Sequence, residues 1–504
     1  MSQTATLAYL FAQADPNHPA VIIPEDHCST TYQGLGRQVE ALAASLQKSG
    51  LQAGDAVAIV LPNGLEYLVS FLAATWAKLI AAPLNSAYKN EEFRFYLEDA
   101  EVKAVIGPAE DHPVYAVARD LNIAVLRVVR SPQGTVVLQS GQIAVSANIT
   151  LHLPKPEDIA LFLHTSGTTS RPKGVPLTHA NLMASARNIA DHYQLRPADT
   201  SLVVMPLFHV HGLIGATLST FLTGGTVVVP AKFSASAFWP TVKAHRVTWY
   251  SAVPTIHQVL LARAESDNAP RKSCFRFIRS CSSALAPTTL EQLESRFAAP
   301  VLEAYGMTEA AHQMTSNPLP PAARKPGSVG PGTRVDVAVM DGVGRILPAG
   351  SQGEVVIRGP NVTAGYHKNP EANAAGYTNG WFRTGDRGVL DGDGYLTLIG
   401  RIKELINRGG EKISPLEVDA ALLTHPAVAE VATFAAPDPK YGEEVHAAVV
   451  LRAPATAADL QAHCRKLLAD FKVPKVFHIT KELPRTATGK IQRRHVAAAF
   501  LSPQ

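Results

Sequence analysis

Two kinds of apolar spacing share this chain. Residues 56–61, 79–83 and 104–107 are compact apolar blocks of strand length, while 66–76 and 91–99 repeat apolar side chains every three or four positions, as one face of a helix does. Blocks of the first kind separated by segments of the second predict strands wound into a sheet by crossover helices. The alternation returns with strands expected at 159–163, 201–205, 226–229, 248–252 and 275–280, and helices near 180–192, 236–245, 255–264 and 288–297. Residues 7–14 read as one more helix. Between 327 and 400 the helical spacing disappears, and 335–340, 353–358 and 395–399 alternate around Gly, Asp and Pro turns, so this stretch is expected to be β-rich. From 401 onward the order is strand, helix, strand, strand, helix, with helices at 415–423 and 456–470 around strands at 428–434 and 445–451. The fold class that follows is α/β: a large N-terminal domain, 1–400, of two wound α/β subdomains plus a β-rich subdomain, then a small α+β C-terminal domain, 401–504.

Composition narrows the partners. A chain of 504 residues exceeds one ordinary core, in keeping with two domains. Its formal net charge is +4 and no block of basic residues occurs, so neither nucleic acid nor a polybasic membrane contact is expected. Cys28, Cys274, Cys281 and Cys464 form no C-x-x-C pair, which fits reduced thiols in the cytoplasm better than a disulfide or zinc framework. No secretory leader is expected, since the first residues lack a basic region followed by a long apolar core, and the most apolar stretch, 67–84, is interrupted by Lys78 and Pro83, so no membrane insertion is expected.

Chemistry concentrates first in residues 164–174. Following the apolar block 159–163, the hydroxyls of Thr165, Ser166, Thr168 and Thr169, the cations Arg171 and Lys173, and the glycines Gly167 and Gly174 make a cradle for a polyphosphate. It is not a P-loop. Lys173 stands six residues after Gly167, but Pro172 takes the place of the second glycine and Gly174 that of the Ser or Thr.

Four more motifs follow in order: Tyr305-Gly-Met-Thr-Glu309, Thr384-Gly-Asp386, Gly400-Arg-Ile-Lys403 and Pro484-Arg-Thr-Ala-Thr-Gly-Lys490. Singly they have ordinary readings, since Glu309 suits a helix start, Asp386 a turn and Lys490 an exposed surface. Jointly, with the cradle, they resemble the adenylate-forming superfamily of acyl-CoA ligases, nonribosomal adenylation domains and firefly luciferases, over essentially the whole chain. The resemblance implies attack of an acid carboxylate on the α-phosphorus of ATP, loss of pyrophosphate, then attack of the coenzyme A thiol on the acyl-adenylate. It implies that Thr165, Ser166, Gly167, Thr168, Thr169 and Lys173 hold the departing phosphates, Thr308 the α-phosphate and Glu309 a Mg²⁺ ion. Asp386 would accept the ribose hydroxyls with Arg401 beside it, Tyr305 would stack on adenine, and Ser283, Ala284 and Gly306 would complete the nucleotide site. Lys490 would reach the α-phosphate and the attacking carboxylate. The C-terminal domain is expected to be mobile, with a hinge at Lys403 and a pantetheine tunnel lined by Gly409 and Gly410. Many relatives carry glycine at the place of Ser170.

The acid is addressed by Phe208-His209-Val210-His211-Gly212, by Ser280-Cys-Ser-Ser283 and by Ala310-Ala-His312. Fatty-acid and aryl ligases generally place glycine, alanine and apolar side chains there. Donors that would be costly to bury alone call for an acid with a second polar end. These features resemble the oxalate–CoA ligase branch near 4-coumarate–CoA ligase, which implies a very small diacid with His209, His211, Ser282 and His312 near its distal carboxylate and His209 gating the channel. The sequence leaves open another short, aryl or medium-chain acid, a carrier protein as the thiol acceptor, and a nucleotide-binding relative without catalysis.

Overall fold

The structure is a computed structural model that describes residues 5–131, 133–139, 153–165, 172–486 and 489–501. Two sheets have the same plan. One runs Val136–Leu138, Ala124–Arg130, Val102–Gly107, Ala56–Ile59, Ile80–Pro83, Ile159–His164, Gly174–Thr178. The other runs His312–Ser316, Val301–Met307, Phe277–Ser280, Trp249–Ala252, Thr200–Leu202, Thr226–Val228, Pro19–Ile23, Cys28–Thr31. Inner strands pair in parallel and the outermost strand at each end is antiparallel. One hydrophobic core joins them, taking Ile59 and Leu161 from the first and Trp249 and Phe277 from the second. The helix Leu65–Trp76 is buried on nearly every side, which is why its sequence is apolar all round.

A third, antiparallel sheet holds Asp336–Met340, Gln352–Arg358, Trp381–Leu390, Tyr377–Thr378 and Leu396–Arg401, as the turn-rich sequence implies. The C-terminal sheet is built on the long pair Val428–Asp438 and Gly442–Leu451, flanked by Pro415–Leu423 and Ala457–Leu467, with its own core around Ile406, Val418, Val449 and Leu460.

Three sequence expectations are corrected. Residues 7–14 do not form an α-helix: only Leu7–Tyr9 is helical, as a 3₁₀ turn, and later bonds such as Ala12 N–H to Tyr9 O keep the three-residue reach. Leu7 and Leu10, three apart and both buried, fit that tighter period. The β-rich stretch does contain a helix, Pro370–Gly376, started by Asn369, whose side chain accepts from the Ala372 N–H. It buries no residue, so no apolar spacing announces it. The strand Val476–Thr480 and the helix Arg493–Leu501, half-exposed additions to the C-terminal sheet, were likewise not anticipated. Among the described residues no helix is long and apolar enough to cross a membrane.

Candidate active site

The three upstream sheets and the C-terminal segment meet at a cleft of about 720 Å³. Thr165, Lys173, His209, Ser282, Gly306, Thr308, Glu309, His312, Arg401, Lys403 and Lys490 line it. Tyr305, Asp386 and His211 sit behind this lining, and the Gly409–Gly410 turn, joining Ile406–Arg408 to Glu411–Ile413, lies away from it. Both of those glycines have positive φ, 59° and 99°, as that tight turn requires.

On one side, the strands Ile159–His164 and Gly174–Thr178 pair antiparallel up to His164 opposite Gly174. The Thr165 N–H then donates to the Lys173 carbonyl at 2.9 Å, clasping the ends of the cradle. Ser166, Gly167, Thr168, Thr169, Ser170 and Arg171 lie outside the described residues. A side chain at Gly174 would force the Phe162 ring to move, because a Cβ there would stand 2.4 Å from Phe162 Cζ. The strand turns directly into the helix His179–His192 through a reciprocal cap, in which Thr178 Oγ1 accepts from the Asn181 N–H and Asn181 Oδ1 accepts from the Thr178 N–H.

The Lys173 ammonium lies 4.5 Å from the Tyr366 ring centre, and the Tyr366 hydroxyl donates to Glu309 Oε1 at 2.8 Å. Burial raises the Glu309 carboxyl above its usual range, opposed by that hydrogen bond and by the charges of Arg401 and Lys173. A buried carboxylate held by a phenol suits a hard divalent cation, whose charge would relieve the desolvation. No group of three or more His, Cys, Asp and Glu among the described residues could hold a metal unaided.

Lys490 enters the same cleft from the C-terminal segment. Desolvation lowers its pKa, Arg401 lowers it further, and Asp386 and Glu404 oppose both. Arg401 Nε stands 3.2 Å from Asp386 Oδ1 at the antiparallel pairing of Trp381–Leu390 with Leu396–Arg401. The Tyr305 hydroxyl donates to the other oxygen of Asp386. Asp386 therefore already holds a cation and a phenol, and Tyr305 is tied by its hydroxyl to the carboxylate.

The opposite side is made of neutral groups. After the strand Thr200–Leu202 the chain turns tightly at Pro206 and His209, where a Cβ on Gly212 would stand 2.4 Å from the Pro206 carbonyl. It then enters a π-helical segment, His211–Leu218. The His211 N–H donates to His209 Nδ1 at 3.2 Å, which leaves the His209 ring proton on Nε2. Desolvation, then the charge of Lys490, push His209 down to about 4. His211 is fully buried and its ring is bonded to side chains, with Ser282 Oγ 3.0 Å from Nδ1 and Ser251 Oγ 2.6 Å from Nε2. His312, on the strand His312–Ser316, stacks on His211 with ring centres 5.2 Å apart.

Sequence reasoning missed the groups behind this wall. Arg279 in the strand Phe277–Ser280 is wholly buried and contacts Tyr193, Ser251, His312 and Gln313. Burying an ion costs several kcal/mol even after relaxation, so a charge inside an apolar strand was the available signal. Tyr366, which joins Lys173 to Glu309, had none, since no motif contains it.

A family model described as "AMP-binding enzyme" matches residues 10–367, and one described as "AMP-binding enzyme C-terminal domain" matches 417–490. An oxalate–CoA ligase of Arabidopsis thaliana is 51% identical over 94% of this chain and 93% of its own. The oxalate–CoA ligase of Saccharomyces cerevisiae is 46% identical over 99% and 97%. Among solved structures, ATP-bound MatB from Rhodopseudomonas palustris superposes with a TM-score of 0.90 at 31% identity, covering 99% of each chain. The apo form of the same protein gives 0.80.

Proposed function

The chain belongs to the AMP-binding enzyme family and is an ATP-dependent acid–CoA ligase, and from that premise we propose that its acid is oxalate. Mg²⁺ and coenzyme A are the other participants. The observation that carries the acid assignment is the wall of Ser282 and His312, neutral donors that line the same cleft as Lys490 and Lys173. A second carboxylate satisfies these donors, and an alkyl or aryl tail would leave them unpaired. The names of the two plant and yeast relatives point the same way.

In the first half-reaction a carboxylate oxygen attacks the α-phosphorus and the P–O bond to pyrophosphate breaks. No protein base is needed, so the residues act by position and charge. Lys173 and the cradle hold the leaving phosphates, Thr308 and Lys490 the α-phosphate, and Lys490 also the attacking carboxylate. Asp386 and Arg401 take the ribose, with Tyr305, Gly306, Ser283 and Ala284 around the base. Glu309 would hold Mg²⁺, which would supply charge neutralisation for the departing phosphates. In the second half-reaction the thiolate of coenzyme A displaces AMP, and the thiol proton passes to solvent or phosphate.

Residues 1–400 and 401–504 form the two parts that rotate between these steps. Lys403 is the hinge, and Gly409 and Gly410 reach the cleft after rotation. The gap between the ATP-bound and apo superpositions of one neighbour supports such a change. A cytoplasmic location fits the four unpaired cysteines. The deciding experiment is AMP release and acyl-CoA formation over a panel of acids. Oxalate should head the panel, and activity on 4-coumarate or octanoate well above oxalate would overturn the acid while leaving the ligase.

A further inference from the structure

Arg279 has no carboxylate partner among the described residues, although its side chain is 0% exposed. Its Nε donates to the Tyr193 hydroxyl at 2.8 Å, Nη1 to Ser251 Oγ at 2.8 Å, and Nη2 to Gln313 Oε1 at 2.9 Å and to His312 Nε2 at 3.0 Å. A guanidinium has donors and no acceptor. That fact sets the direction of every bond leading away from it.

His312 Nε2 must accept, so the neutral ring keeps its proton on Nδ1, which has no hydrogen-bond partner among the described residues. Ser251 Oγ accepts from Arg279, and its other partner is His211 Nε2 at 2.6 Å, so the serine proton goes to that nitrogen. His211 then carries its own proton on Nδ1 and donates it to Ser282 Oγ at 3.0 Å. Ser282 is left with an O–H to give. Both branches end on side chains that line the cleft, and both end as donors. Ser282 is held at φ 72°, a left-handed conformation costly for a side-chain-bearing residue, which fixes its aim. The His312 ring is seated against Gly215, where a Cβ would come within 2.5 Å of Nε2.

We propose that Arg279 is a positioning residue that turns Ser282 and His312 into paired hydrogen-bond donors for the second carboxylate of the acid, so that the enzyme selects small dicarboxylates over monocarboxylates of similar size. The inference rests on the acid–CoA ligase reading with this wall as the acid subsite. Chained donors polarise one another in a low-dielectric interior, so the buried charge strengthens both tips without touching the substrate. The charge stays behind the wall, and the wall itself stays neutral.

The test is Arg279→Met, which keeps length and removes every donor. The ratio of kcat/KM for oxalate to that for acetate should fall about 30-fold, the scale of charge-assisted bonds, chiefly through KM for oxalate, while KM for ATP moves less than about twofold. A second readout is pH. Burial holds the His312 imidazole well below its usual range, and the charged and titratable groups facing it, Arg279, His211 and His209, lower it further. Removing the guanidinium lifts one part of that depression while burial keeps the rest, so the variant should gain oxalate activity toward acid relative to the wild type. The wild type should show no such rise. Ser251→Ala breaks only the Ser282 branch, and should lower the same ratio about fivefold without the acid recovery. If Arg279→Met fails to bind ATP, Ser251→Ala decides. An unchanged acid ratio in the variant that folds overturns the inference and spares the substrate reading. A wild type inactive on oxalate and other short dicarboxylates overturns both.

Discussion

The two sides of the cleft offer an anion opposite kinds of partner. Lys173, Arg401 and Lys490 bring whole charges on a clasped turn, a strand end and the C-terminal segment. Ser282 and His312 bring neutral donors from the ends of packed strands, with the charge held behind them on Arg279. A polyphosphate changes charge and leaves during turnover, so full charges on separable segments suit it. A small acid must be told from its neighbours by shape and proton direction, and that needs a rigid wall.

The contrast predicts a ranking of losses. Lys490→Ala should cost the most, at least about 10²-fold in acid-dependent ATP–pyrophosphate exchange, the scale for one transition-state donor. Thioester formation from preformed acyl-adenylate should be far less affected, and retained exchange would refute the role of Lys490. His312→Ala should lower kcat/KM for oxalate between about 10- and 100-fold and leave KM for ATP alone. A matching rise in KM for ATP would erase the distinction between the two sides.

Lys403→Pro fixes one backbone torsion at the point where the last strand of the antiparallel sheet gives way to the C-terminal unit. It should slow acyl-CoA formation about tenfold while exchange is kept; equal loss of both half-reactions would remove the hinge. Tyr366→Phe is the mildest. It deletes the phenol on Glu309 and should raise the Mg²⁺ concentration for half activity about threefold, without altering the preference among acids.

Residues 164–174 and the motif ending at Lys490 stood out in the sequence because their parts are contiguous. Hydroxyls, glycines and cations packed between two strands announce themselves, and so does a lysine six residues from the start of its own motif. The acid wall was legible only at its tips. His211, Ser282 and His312 stand in recognisable stretches, but their proton directions depend on Ser251 and Arg279, which lie on other strands of one sheet and share no local pattern. Tyr366 and Asp386 illustrate the same limit: the phenol that orders Glu309 and the phenol that Asp386 holds both arrive from distant segments.

Local chemistry therefore determined the wound α/β strands and marked out residues 164–174 and Lys490, because spacing and residue type act over a few positions. Only the tertiary structure decided which buried charge stands behind which donor. Parallel neighbours in a sheet come from far apart in the chain, and a hydrogen bond's direction is set by the partner that has nothing to accept with.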